Sequence, residues 1–96
     1  MSAVKTIIKR KVPKGKEAEL LPLLIELRTL AIAQPGYISG ETLRNLDDPE
    51  EFVVIGTWKS FDDWKACVNI KRRIELVREI DALLGTKTEY AIYQYA

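Results

Sequence analysis

Two tryptophans six residues apart, Trp58 and Trp64, bracket the segment Lys59-Ser60-Phe61-Asp62-Asp63. An indole in a dry cleft offers a flat apolar wall on which a planar ligand stacks. Trp64 is therefore the first candidate for catalysis and for substrate binding, and Trp58, closing a strand-like run, is a second binding candidate. Tyr37 follows a Pro-Gly turn, where its hydroxyl would donate to a substrate oxygen. Arg72 would stabilise an enolate or phenolate as negative charge develops, with Asn69 beside it at the pocket mouth. Each has a plainer alternative. The tryptophans would pack a core, Tyr37 would be buried with its hydroxyl solvated, and Asn69 and Arg72 would lie on a solvated helix face.

Other chemistry is removed by what the chain lacks. It has no histidine and one cysteine, Cys67. Ser-His-Asp and Cys-His nucleophiles then have no base, and a zinc or copper site lacks its usual donors. No metal and no cofactor are expected. Cys67 cannot form an internal disulfide, which fits a reducing, cytoplasmic setting, and it reads as a buried structural thiol. Fifteen Lys+Arg against 14 Asp+Glu leave a net charge of +1, with no pull toward nucleic acid or an anionic membrane. The basic opening from Lys5 to Lys16 reads as one solvated strand face and a turn, since it lacks the interleaved aromatics of a nucleic-acid surface. The start has no signal-peptide-like apolar run, and the apolar stretch Leu20–Ala33 is interrupted and too short to span a bilayer.

The elements that must position these residues follow from periodicity. Residues 3–12 alternate and stop at Pro13, which reads as a strand. Residues 16–34 carry a broad apolar stripe at helical spacing, with a kink expected at Pro22 and a stop at Gln34-Pro35-Gly36. Tyr37–Leu46 reads as a strand with a bulge at Gly40, Asp47–Glu50 as a turn, and Phe52–Trp58 as an apolar strand. Ser60 is the expected N-cap of a helix over 61–84, with Asp62 and Asp63 in its first turn and an interruption near Val68-Asn69. That helix shows Ile70, Ile74, Val77, Ile80 and Leu84 as its apolar stripe and ends at Gly85. Thr86–Tyr95 is the last strand.

The order βαββαβ specifies an α+β, ferredoxin-like domain over residues 1–96: a four-stranded antiparallel sheet with two helices on one face. Such a sheet should keep one face polar. Yet Ile7-Ile8, Phe52–Ile55 and Tyr90–Tyr93 put apolar groups on both faces. A second copy related by a two-fold axis is the economical cover, so a homodimer is expected.

The segments Val12-Pro13-Lys14-Gly15, Pro35-Gly36-Tyr37, Leu43-Arg44, Asp48-Pro49 and Trp58-Lys59-Ser60-Phe61-Asp62-Asp63-Trp64 together resemble the antibiotic biosynthesis monooxygenase (ABM) family over almost the whole chain. The resemblance implies a dimeric α+β barrel and places Trp64 in a pocket between helices and sheet. Some members of that family oxidise aromatic polyketides or quinols with molecular oxygen and no cofactor. Others degrade haem, using a histidine that this chain lacks. The resemblance thus implies a cofactor-independent monooxygenase acting on a small planar aromatic or quinol-type substrate. The alternative is a non-catalytic dimeric module of the same fold that binds a small apolar ligand.

Overall fold

A computed structural model describes residues 2–96. In chain order they form β1 (Val4–Lys11), α1 (Glu17–Ile32), β2 (Tyr37–Arg44), β3 (Glu51–Trp58), α2 (Phe61–Val68), α3 (Lys71–Leu84) and β4 (Glu89–Gln94). The strands make one sheet in the order β2-β3-β1-β4, and every neighbouring pair is antiparallel. This is the ferredoxin-like α+β architecture expected from the element order. Among the described residues no helix is long and apolar enough to cross a membrane.

The helical layer holds three helices rather than two. The Ile70 amide reaches back to the Cys67 carbonyl at 3.1 Å, and Ile70 itself is extended at φ −66°, ψ 128°. One extended residue therefore ends α2 and redirects α3, at the interruption anticipated near Val68-Asn69. Ser60 caps α2 as expected: its hydroxyl accepts the Asp63 amide at 3.1 Å and donates to the Asp63 carboxylate at 2.9 Å. Gly85, at φ 73°, closes α3 in the left-handed region, where glycine meets no Cβ penalty. α1 runs unbroken through Pro22. The missing donor there would have served Ala18, and both residues are on the exposed side of the helix.

Strand alternation divides the sheet into two faces. Val4, Thr6, Ile8 and Arg10 of β1 are buried under the helices, while Ile7 and the lysines face the other way. In register with them, Phe52, Val54, Gly56 and Trp58 of β3 share the helix side, and Val53 and Ile55 the open side. The irregularity in β2 falls between Tyr37 and Ser39, not at Gly40. The extra residue, Ile38, has a consequence for the site. It puts odd-numbered Tyr37 on the same face as even-numbered Gly40 and Thr42, as a bulge does when it re-aims one side chain.

The core separates into two clusters. One gathers Val12, Leu20, Leu27, Leu76, Ile80 and Leu84. The other gathers Val4, Ile8, Trp58, Trp64 and Cys67. The buried stripe of α3 is Arg73, Leu76, Ile80 and Leu84, rotated from the expected one, so that Ile74 is exposed.

Candidate functional site

Between the helices and the sheet lies a cavity of about 350 Å³, lined by residues of both core clusters. β3 supplies its floor. Gly56 is part of that floor, and a Cβ there would lie 2.7 Å from the Thr6 hydroxyl. β1 adds Thr6, Ile8 and Arg10; α1 adds Leu24 and Ile25 among others; α2 and α3 close one end with Trp64, Cys67 and Arg73. The walls are mostly apolar, as small-molecule sites are.

Tyr37, Trp58 and Trp64 of the lining belong to an aromatic chain that continues beyond the cavity to Tyr90. Tyr37 meets Trp58 edge to face at 5.4 Å, Trp58 meets Trp64 at 5.9 Å, and Trp64 meets Tyr90 at 6.1 Å. The Arg73 guanidinium stands over both Trp64 (5.1 Å) and Tyr90 (5.7 Å). Its Nη2 lies 3.5 Å from the Tyr90 hydroxyl. The bulge at Ile38 explains the position of Tyr37: its hydroxyl lies over Gly40, 2.7 Å from where a Cβ would be.

The sequence-derived candidates therefore divide. Trp58, Trp64 and Tyr37 come together on the cavity wall. Trp58 and Trp64 are also buried members of the core cluster, so the packing role and the wall role coincide. Arg72 and Asn69 are placed elsewhere, which corrects the expectation that they reach the pocket mouth. Arg72 makes a two-pronged ion pair with Glu26 of α1 (Nε–Oε2 2.6 Å, Nη2–Oε1 2.9 Å) and a longer one with Glu75. Asn69 is exposed and donates to the Lys65 carbonyl, ending its own helix. The reason is geometric. One residue along a helix turns a side chain by about 100°, so Arg72 points out where Arg73 points in.

The two buried cations on the cavity wall, Arg73 and Arg10, 5% and 4% exposed, were absent from the candidates, as was the exposed Arg28. A signal for both buried cations was present. Arg10 continues the period-two series Val4, Thr6, Ile8, and Arg73 precedes Leu76, Ile80 and Leu84 at spacings of three, seven and eleven. Arg10 donates from Nε to the Thr88 hydroxyl at 3.3 Å, and Thr88 in turn donates to Asp81 at 2.6 Å. Burial lowers the pKa of the Arg10 guanidinium from its ordinary value, the attraction of Tyr90 opposes this, and the like charge of Arg73 adds to it. Cys67 is buried at the same wall. Desolvation raises its thiol pKa, with Arg73 pulling the other way.

Residues 3–70 match the model of the antibiotic biosynthesis monooxygenase family. Protein SchA of Streptomyces halstedii is 25% identical over 80 residues, which cover 83% of this chain and 21% of that protein. The chain thus spans about a fifth of the length of that curated relative. Among solved structures, the fold is similar to a conserved protein from Methanosarcina mazei Go1, with TM-score 0.90 and 22% identity over 100% of this chain and 95% of that one. It is also similar to SnoaB, a cofactor-independent oxygenase from Streptomyces nogalater, with TM-score 0.84 and 18% identity over 100% and 95%. At these identities the two likenesses show the fold alone.

Proposed function

The chain belongs to the antibiotic biosynthesis monooxygenase family, and from that premise we propose that it is a cofactor-independent monooxygenase acting on a small planar aromatic or quinol-type substrate. The observation that carries this reading is the cavity walled by Tyr37, Trp58 and Trp64. Its volume of about 350 Å³ accommodates a fused-ring aromatic of modest size. The similarity in fold to SnoaB, a cofactor-independent oxygenase, agrees with it.

In this reading the substrate supplies the electrons. An electron-rich phenol or quinol passes them to molecular oxygen; one oxygen atom enters the ring system and the other leaves as water. The protein's share is to exclude bulk water, hold the ring against the indoles, and favour the substrate anion over its protonated form. Trp64 and Trp58 are the stacking walls, and Tyr37 donates to a ring oxygen. Arg73, at the end where Trp64 and Tyr90 meet, is the cation placed to favour the anion.

The active unit is proposed to be a homodimer. Ile7, Val53 and Ile55, with Leu43 (46% exposed) and Tyr93 (59%) beside them, form an apolar patch on the sheet face away from the helices. A second copy covering that face would close the layered structure.

The test is oxygen uptake with a panel of quinols and polyhydroxylated aromatics, with product identified by mass and 18O2 labelling. Catalysed uptake with one labelled atom retained is expected. Turnover no faster than the uncatalysed rate across the panel would leave the ligand-binding module as the standing alternative.

A further inference from the structure

Two guanidinium groups buried in one mostly apolar cavity is an arrangement that folding alone does not favour. Removing a cation from water carries a penalty that a close carboxylate normally offsets. Among the described residues neither Arg10 nor Arg73 forms an ion pair, although five other pairs occur on the surface. Arg10 reaches Asp81 only through the Thr88 hydroxyl. Its Nη2, sealed from solvent, has no hydrogen-bond partner among the described residues. Arg73 has aromatic faces and a long contact to the Tyr90 hydroxyl. Both line the same cavity, and the like charge of Arg73 opposes that of Arg10.

Arg73 lies in the first turn of α3, at the positive end of the helix dipole, and that turn holds no acidic residue. Two buried cations, Arg10 and Arg73, therefore line one apolar space, with the exposed Arg28 of α1 on the same lining.

We infer that the cavity is built for an aromatic monocarboxylate, whose ring lies along Trp58 and Trp64 and whose carboxylate is held by Arg10 and Arg73. This rests on the cavity being the substrate site, as proposed above, and adds the chemical class of what enters it. A carboxylate matches the planar guanidinium fork and offers two oxygens to two arginines. It is also fully ionised at neutral pH, so it enters as the charge the site lacks. A neutral phenol brings no charge until it is deprotonated.

The experiment compares three naphthalene probes, the near-isosteric 2-naphthoate and 2-naphthamide and the smaller 2-naphthol, by isothermal titration calorimetry at pH 7 on the wild-type protein. The same titrations follow on Arg10→Met, Arg73→Met and the corresponding lysine variants. 2-Naphthoate is expected to bind at least about tenfold tighter than 2-naphthamide, the surplus of a charge-assisted over a neutral contact. That preference should vanish in each methionine variant and persist, reduced, in each lysine variant. If a methionine variant does not fold, the wild-type ratio and the lysine variants decide. Equal affinity for acid and amide would overturn the carboxylate inference while leaving the aromatic pocket standing. Binding of none of the three would overturn both. A preference for the acid that survives in both methionine variants would place the anion elsewhere and overturn it as well. Failure of the oxygen-uptake test beside a confirmed acid preference would reject the oxygenase reading alone.

Discussion

The backbone at Gly36 is packed against the side chain of Asp63 so closely that a Cβ on Gly36 would lie 2.3 Å from the carboxyl carbon. Asp63 is itself held by Ser60, the cap of α2, and the Lys59 amide donates to the Gly36 carbonyl at 2.8 Å. The turn that delivers Tyr37 and the helix start that delivers Trp64 are thus locked to each other. This couples two motifs that are more than twenty residues apart in sequence.

Gly36→Ala should destabilise the fold by about 1–3 kcal/mol, the usual range for a residue forced into sparse backbone space. Gly36 has φ +85° and a collision waiting. Gly85 has φ +73° and, among the described residues, nothing within 4 Å of its would-be Cβ. Gly85→Ala therefore carries the backbone strain alone, and urea midpoints of the two variants should differ by the collision. Equal midpoints would mean that Asp63 moves aside freely.

Trp64→Ala should lower stability by about 3–5 kcal/mol through the cavity it leaves. It should also weaken an aromatic ligand by about 1–3 kcal/mol, as removal of a buried anchor does. Trp64→Phe should keep most of both. Stability from denaturant melts and affinity from calorimetry must be read separately, because a packing role alone moves only the first.

Sedimentation equilibrium at micromolar concentration should give twice the 11.0 kDa chain mass. Ile55→Glu, on the open sheet face opposite Ile7, should shift the protein toward monomer without changing the helix-side core. A wild-type monomer would remove the dimer from the proposal.

Arg72→Ala should leave affinity for the naphthalene probes unchanged, in contrast to Arg73→Met. Its partners Glu26 and Glu75 are solvent-exposed, so the small stability loss should fade as salt screens the pair. Loss of ligand affinity would return Arg72 to the site.

Cys67 should resist thiol-alkylating reagents at pH 8 in the native protein and react on unfolding. Burial raises its folded-state pKa above the ordinary 9.0. A raised value means that the folded form holds its proton more tightly. Its contribution is therefore complete below pH 9.0 and is lost as pH climbs toward the folded value. The stability advantage of wild type over Cys67→Ala should accordingly shrink above that pH.

Much of the fold was legible in the chain because the signals are local. An alternating run set β1 and a nearly unbroken apolar run set β3, Pro35-Gly36 ended α1, Ser60 with Asp63 started α2, and Gly85 ended α3. Each depends on residues within a turn or a strand of one another, so sequence spacing carries the information. Three of the five named candidates, Tyr37, Trp58 and Trp64, stand next to those boundaries, and all three line the cavity.

What the tertiary structure alone decided is which way each side chain turned. Spacing put Ile74 on the apolar stripe of α3, but packing against Val12 and α1 selected the face carrying Leu76 and Ile80. That choice turned Arg73 into the cavity and gave Arg72 to Glu26, 46 positions away. A single extra residue at Ile38 did the same for Tyr37. Arg10 was hidden by its neighbours: among Lys5, Lys9 and Lys11 it looks like one more solvated cation. Only its register opposite Phe52, on the face that the helices cover, makes it a buried one. Local patterns specify elements, because the interactions that form them are short in sequence. The cavity is made where elements meet, and there a rotation of one residue decides whether a charge faces water or the cavity.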